Sequence, residues 1–284
     1  MPTEKRQRQK EGRRARLEAE RKDQKRRQLL RRIVIVVVIA AVVVGSVYLL
    51  TKNNSNKSAT TTSTSSTSTT VPASYTALQA QANSVAVAAG CPAAPATAAH
   101  PANTLHWPKQ PAMTINTSLP YFATMKTTQG TLKIRLNVAG APVNVNNFVF
   151  LANQGFYKCV TFHRVVPGFM NQGGDPTDSG SGGPGYSVTP NEYPKASSNT
   201  SHVYYTSGVV AMANSGPNTN GSQFFIMAKA SSLSPQYTII GQVVSGLAVV
   251  GKINVTGTPD NPTTGQSQPP KVINRILSVT ISNS

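Results

Sequence analysis

Phe162-His163-Arg164-Val165-Val166-Pro167-Gly168-Phe169-Met170-Asn171-Gln172-Gly173-Gly174-Asp175 is the stretch on which the fold reading turns. It sets a permanently charged guanidinium on a strand, followed within eight residues by an aromatic ring, a thioether and an amide. Alternation along a strand puts His163 and Arg164 on opposite faces. An arginine between apolar neighbours ordinarily lays its stem over the surface and carries its charge to water. A second stretch shifts that weighing: Val209-Val210-Ala211-Met212-Ala213-Asn214-Ser215-Gly216-Pro217-Asn218-Thr219-Asn220-Gly221-Ser222-Gln223-Phe224-Phe225-Ile226.

Outward from these two stretches the chain keeps the same texture. Residues 121–126 and 131–136 read as strands about a Gln129-Gly130 turn. Pro142 then opens a helix whose apolar Val145, Phe148, Val149 and Ala152 recur at helical spacing, and Gly155 stops it. Further short strands are expected at 162–166, 209–213, 224–227, 239–243 and 272–281, with a second helix at 247–253. Many short strands, glycine-rich turns and two helices predict a mainly β domain, closed or nearly closed into a barrel, over residues 119–284.

The 284 residues carry a net charge of +18 from 27 Lys and Arg against 9 Asp and Glu, and only 13% of the chain is charged. Residues 1–32 hold 14 of the cations and 5 of the acids. Beyond them the only carboxylates are Asp175, Asp178, Glu192 and Asp260, too few and too scattered for a carboxylate-bound metal or a catalytic acid pair. Two cysteines and four histidines leave little for zinc. No metal and no cofactor is expected. Gly180-Ser181-Gly182-Gly183-Pro184-Gly185 fits the spacing of a dinucleotide loop, but the prolines that follow forbid the helix such a loop must open, so it reads as a flexible loop. No G-x-S-x-G, H-E-x-x-H or C-x-x-C occurs, which leaves serine, zinc or dithiol chemistry unsupported.

After the basic arm of 1–32 comes IVIVVVIAAVVVGSVYLL at 33–50, eighteen residues without a charge. As a helix it would be about 27 Å long, enough to cross a hydrocarbon core. The run is longer than a signal-peptide core and no Ala-x-Ala site directly follows Leu50, so it reads as an uncleaved membrane anchor. The cations ahead of it put the arm in the cytoplasm and the rest of the chain outside, in a single pass. Those cations are accounted for by topology and contact with anionic lipid, so specific nucleic-acid binding is not expected. Residues 51–74 form a Ser/Thr-rich linker that buries nothing. Residues 75–118 form an Ala/Pro-rich collar in which prolines break any regular element. Trp107 is expected to pack this collar on the domain.

The two long stretches, with Gly182-Gly183-Pro184-Gly185-Tyr186 between them and Tyr237-Thr238-Ile239-Ile240-Gly241-Gln242-Val243 after them, resemble the cyclophilins, the peptidyl-prolyl isomerases. The resemblance runs from about residue 121 to 281. It implies an eight-stranded antiparallel barrel closed by two helices, and an enzyme that rotates Xaa-Pro bonds in polypeptide substrates without a cofactor. It further implies that Arg164 is the catalytic arginine, oriented by Gln172. The proline pocket then falls to Phe169, Met170, Phe225 and Leu233, with Tyr237 beside it, and contacts to the peptide backbone fall to Ala213, Asn214 and Gln223. Ser232 and Tyr237 depart from the family, which often has tryptophan and histidine there; the missing indole donor implies weakened cyclosporin inhibition.

The anchor, linker and collar resemble the membrane-tethered cyclophilins of actinobacteria. On that reading the chain is a monomer that assists folding of secreted or envelope proteins; the alternative is a non-catalytic module that binds proline peptides at the membrane. His163 is expected to pack or hydrogen-bond behind the sheet. Outside the membrane Cys91 and Cys159 could be bridged, pinning collar to barrel, or could remain two thiols.

Overall fold

The computed structural model describes residues 73–195 and 203–283. The basic arm, the expected membrane span at 33–50 and the linker up to residue 72 lie outside the described residues. Among those described, no helix is long and apolar enough to cross a membrane.

The strands are β1 (Phe122–Thr127), β2 (Gly130–Leu136), β3 (Arg164–Val166), β4 (Met170–Gly173), β5 (Val203–Tyr205), β6 (Val209–Met212), β7 (Phe224–Met227), β8 (Ser231–Leu233), β9 (Ile239–Ser245) and β10 (Ile276–Ser282). Eight of them form one antiparallel sheet in the order β10-β1-β2-β9-β6-β7-β4-β3, while β5 and β8 pair separately. The large sheet rolls until its ends meet. Just before β3, the Cys159 and Phe162 N–H groups donate to the carbonyls of Ile276 and Asn274 at 2.7 and 2.9 Å, and Ile276 N–H donates to Val160 at 2.8 Å. Rolling the sheet this way satisfies backbone groups that an open edge would leave unpaired.

Period-2 alternation decides what lies inside. Met125, Leu132, Ile134, Val165, Val210, Met212, Phe224, Ile226 and Ile240 point into the barrel and are fully or almost fully buried. At its centre the Phe224 ring meets those of Tyr157, Phe148 and Phe162 at centroid distances of 5.6, 5.8 and 6.5 Å. Each such side chain taken from water contributes about 1.5–3 kcal/mol. Helix α2 (Pro142–Asn153) supplies Phe148 and Leu151 to this core, and α3 (Leu247–Asn254) supplies Val250 and Ile253. Ala141 gives α2 no side-chain cap. The Glu192 carboxylate fills that role, accepting from the Val143 and Asn144 N–H groups at 2.9 Å each, where the helix dipole favours a negative charge.

The barrel has the two helices expected of it, but the expectation of a collar without regular structure needs correction. A third helix, α1 (Ala73–Ala88), precedes the barrel. Its sequence is rich in strong helix formers, and the first collar proline, Pro92, lies beyond its end, after Gly90 with φ +80° has stopped it. The helix also begins before the expected linker boundary at residue 74. It buries Ala82 and Ala86, with Ala86 in a small cluster with Cys91, Cys159 and Leu277. Cys91 and Cys159 are joined by a disulfide across Cα atoms 5.5 Å apart.

The collar is fastened along its whole length. Arg275, 1% exposed, donates through Nη1 to the Pro92 carbonyl at 2.5 Å and through Nη2 to the Ala93 carbonyl and Asn83 Oδ1 at 3.0 and 3.1 Å. Trp107 packs edge-on against Phe150 of α2 with centroids 5.1 Å apart, and its backbone N–H donates to the Pro184 carbonyl at 2.9 Å. Asn146 of α2 accepts from the Thr114 and Ile115 N–H groups and donates to the Ala112 carbonyl.

Strands β4, β5 and β8 have no counterpart in the sequence reading. Met170-Asn171-Gln172-Gly173 lacks β-branched residues, and β4 owes its conformation to lying between β3 and β7, with which it pairs.

Candidate active site

The outer face of the same strands carries a second apolar cluster. Met170, Val209, Ala211, Phe225 and Met227 face outward, with Tyr205 completing the buried set and Phe169, Ala213, Leu233 and Tyr237 packed around it. Every apolar residue expected at the proline pocket is in this cluster. The pairing registers explain why. Arg164 lies opposite Gln172, Gln172 opposite Phe225, and Phe225 opposite Ala211, so one row across β3, β4, β7 and β6 reads arginine, glutamine, phenylalanine, alanine. Leu233 reaches the cluster because β8 pairs with β5, where it stands opposite Val203.

The hairpin bearing Arg164, Phe169, Met170 and Gln172 is held from behind by two buried amides. Asn254, at the end of α3, donates to the Val166 carbonyl and Asn171 Oδ1 at 2.9 Å each and accepts from Gly168 N–H at 2.7 Å. Asn171 in turn donates to the Val250 carbonyl at 2.9 Å.

The Arg164 side chain is 28% exposed, open to a peptide at the surface yet fixed on three of its nitrogens. Nη1 reaches Gln172 Oε1 at 3.4 Å, Nε donates to Asp260 Oδ1 at 3.1 Å, and Nη2 pairs with Asp260 Oδ2. Gln172 passes the network on, donating to Gln223 Oε1 at 3.1 Å. Gln223 then donates to the carbonyls of Gly180 and Gly182 at 2.9 and 3.0 Å.

That last contact corrects the reading of the glycine-rich segment as a flexible loop. Besides the anchor to Gln223, it is organised by Asp175, whose carboxylate accepts from Thr177 N–H and Oγ1 at 2.7 Å each and from Gly182 N–H at 3.0 Å. Burial alone would raise the Asp175 carboxyl, but these hydrogen bonds outweigh it and hold the group below the usual carboxylate value. A Cβ on Gly182 would lie 2.1 Å from Asp175 Oδ1, so only glycine fits. The loop, Ala213, Asn214 and Gln223 line a cleft of about 640 Å³ beside the apolar pocket. Asn214 spends its own amide on the Gln236 carbonyl and Asn220 Oδ1.

Three residues of the site were missed in the sequence. Asp260 figured there only as one of four scattered acids, because nothing in its spacing places it beside Arg164. Tyr205 is fully buried under the pocket and donates its hydroxyl to the Tyr237 carbonyl at 2.9 Å, fixing the segment that carries Tyr237; burial pushes its phenol up to about 12. His106 of the collar lines the cleft, its ring set so close over Gly185 that a Cβ there would meet it at 2.2 Å.

Of the two alternatives expected for His163, packing is the one the structure shows: both ring nitrogens are buried, and neither has a hydrogen-bond partner among the described residues. Burial lowers its pKa below the ordinary 6.5; Asp175 opposes the shift and Arg164 adds to it. A depressed folded-state value means that the unfolded chain takes the proton first as the pH falls. Stability should therefore be full above pH 6.5 and decline below it until the folded-state pKa is passed. Urea melts at a series of pH values check this. The slope between pH 7 and 5 should flatten in His163→Gln, and an equal slope in both proteins would contradict it.

One guanidinium at the rim of an apolar pocket, on the outside of an antiparallel barrel, defines a class of site that grips an apolar ring and presents hydrogen-bond donors to the backbone beside it. Residues 122–281 match the family model of the cyclophilin type peptidyl-prolyl cis-trans isomerases. The chain belongs to that family. It is similar to a probable peptidyl-prolyl cis-trans isomerase B of Mycobacterium leprae, 44% identical over 46% of this chain and 48% of the relative. It is also similar to a peptidyl-prolyl cis-trans isomerase-like 1 of Gibberella zeae, 40% identical over 49% of this chain and 85% of the relative. A crystal structure of a cyclophilin type isomerase from Cryptosporidium parvum matches with a TM-score of 0.48 and 30% identity, over 58% of this chain and 99% of that one. The chain spans about half the length of the mycobacterial relatives it matches.

Proposed function

We propose that this chain catalyses cis-trans rotation about Xaa-Pro bonds. The observation that carries the reading is the row Arg164, Gln172, Phe225, Ala211, which sets a guanidinium beside a pocket of Phe169, Met170, Phe225, Leu233 and Tyr237.

Amide resonance gives the bond a rotational barrier of about 18–20 kcal/mol, and isomerisation takes tens to hundreds of seconds. A twisted amide has lost its resonance, so its prolyl nitrogen is pyramidal and more basic than in the ground state. A donor fixed near that nitrogen stabilises the twisted form more than either planar form, which is what lowers a barrier. Arg164 cannot lose its proton and offers a rigid fork of N–H groups. The apolar pocket holds the ring still while the carbonyl side turns. Lowering the barrier by about 7 kcal/mol gives roughly five decades of rate. No bond is broken, so the reaction needs no nucleophile.

The site lies in a chain whose first 32 residues are strongly basic and whose next eighteen carry no charge. This pattern supports a single-pass membrane protein with a cytoplasmic arm, lipid contact through residues 33–50 and an extracytoplasmic isomerase domain, as in the membrane-anchored actinobacterial members. Its substrates are then proline-containing secreted or envelope proteins, whose folding it would assist as a monomer. The disulfide between Cys91 and Cys159 fits an oxidising compartment.

An assay on an Ala-Pro peptide tests the activity. The purified chain should shorten the slow cis-to-trans phase in proportion to its concentration, whereas an unchanged phase with bound peptide would favour the non-catalytic module. Protease accessibility on intact cells tests the topology, with cleavage expected in the domain and not in the arm. Cyclosporin should inhibit only well above nanomolar concentrations, since Ser232 offers no indole donor; nanomolar inhibition would contradict this.

A further inference from the structure

We infer that Asp260 is a positioning residue for Arg164, and that the loop between α3 and β10 exists in part to deliver it. The inference rests on the isomerase reading above. Asp260 binds the guanidinium along one edge, with Oδ1 accepting from Nε at 3.1 Å and Oδ2 pairing with Nη2. Gln172 touches the remaining nitrogen, Nη1, only at 3.4 Å. A guanidinium has five N–H donors, so this arrangement commits one edge to the carboxylate and leaves the second N–H of Nη1 and the outer N–H of Nη2 for a peptide. Gln172 alone, on a long contact, would leave the fork free to turn about its stem.

The loop is built to hold that geometry. Its near end lies against β3 itself: Thr258 N–H donates to the Val165 carbonyl at 3.1 Å, one residue from Arg164. A Cβ on Gly257 would sit 2.2 Å from that same carbonyl, so the close approach requires glycine. Thr258 Oγ1 ties the near end to the far end at the Pro269 carbonyl at 2.8 Å. Asn261, next to Asp260, accepts from the Thr263 and Thr264 N–H groups at 2.9 and 3.1 Å, while its own N–H donates to the Gln266 carbonyl at 2.8 Å. Pro259 and Pro262 flank the pair and fix its backbone further. Both side chains of the ion pair are 28% exposed, so it adds little to stability. Its effect is to aim the fork, and misplacing a reacting group by about an ångström can cost up to about a hundredfold in rate.

The test compares the full chain in detergent with its Asp260→Asn, Asp260→Glu and Arg164→Ala variants on an Ala-Pro peptide, and follows the Arg164 Nε–H resonance by NMR. Asp260→Asn should lower kcat about tenfold, with peptide affinity within about twofold and an unchanged melting temperature. The Arg164 Nε–H signal, visible in the wild type, should be lost to solvent exchange in Asp260→Asn. Asp260→Glu should restore the signal and part of kcat. Unchanged kcat and an unchanged signal in Asp260→Asn would overturn the inference; so would a faster Asp260→Asn enzyme, which would make Asp260 a restraint that substrate must displace. If wild type and Arg164→Ala are equally slow, it is the isomerase reading that fails, and the Nε–H signal alone then decides whether Asp260 fixes the guanidinium.

Discussion

Arg164→Ala is expected to lower kcat/KM for an Ala-Pro peptide by two to three orders of magnitude, the usual cost of removing one fixed donor from a transition state, while peptide affinity changes by less than about threefold. The asymmetry follows from the division of labour in the site. In the proposed mechanism the ring is gripped by Phe169, Met170, Phe225, Leu233 and Tyr237, which form a cluster of their own, and the guanidinium acts on the bond that turns, only when it is twisted. Folding should survive the change, because Arg164 is 28% exposed and its partner Asp260 equally so, leaving the freed carboxylate solvated. Arg164→Lys should recover little, since a point charge on a flexible stem cannot both pair with Asp260 along one edge and face the pocket along another. Steady-state kinetics with a parallel peptide titration read both quantities. Equal losses in affinity and rate would mean that the arginine binds substrate without acting on the transition state.

The second large effect concerns the collar. Arg275→Met keeps an unbranched apolar stem but removes the donors that satisfy Pro92, Ala93 and Asn83. Arg275 is 1% exposed, so water cannot replace those bonds without opening the structure. With each of the three orphaned acceptors costing at least about 1 kcal/mol, the variant should be less stable by roughly 3 kcal/mol as a lower bound. A domain of this size would then melt about 6–12 °C lower. The change should also expose the 92–100 segment to protease before the barrel itself, because among the described residues its backbone is hydrogen-bonded to the barrel through this one side chain, beside the disulfide at Cys91. A melting temperature within 2 °C of the wild type would show that the collar is held without Arg275.

Much of the barrel was legible because its rule is local. Alternation in Val209-Val210-Ala211-Met212 and Phe224-Phe225-Ile226-Met227 assigns Val210, Met212, Phe224 and Ile226 to the core and leaves Ala211 and Phe225 for the outer face. Pro142 and Gly155 mark α2 in the same direct way. The candidate site was legible through family motifs rather than through spacing, and those motifs brought Arg164, Gln172 and the pocket residues onto one face. What escaped is what depends on long loops and on contacts between distant segments. Asp260 lies 96 positions from Arg164, on a loop whose path no periodicity determines. His106 reaches the cleft because the collar is strapped across α2, which its composition does not show. Helix α1 was hidden by the prolines that follow it, although it ends before the first of them.

The four acids beyond the basic arm show the same limit. Their scarcity first counted against acid-base chemistry, and none serves as an acid or base in the proposed mechanism. Glu192 caps α2, and Asp175 shapes the glycine-rich loop. Asp178 accepts from Thr161, its carboxyl raised by burial, while Asp260 holds the Arg164 guanidinium along one edge.

The most direct measurement of the central claim is two-dimensional exchange NMR on a short Ala-Pro peptide with a substoichiometric amount of the purified chain, since it reads binding and turnover in one sample. Catalysis predicts cross-peaks between the cis and trans alanine methyl signals at mixing times below about a second, where the uncatalysed bond does not exchange, and their disappearance with Arg164→Ala. Peptide signals that shift and broaden on addition of the chain, yet show no cis-trans cross-peaks at any mixing time, would identify a proline-peptide binder and contradict the account.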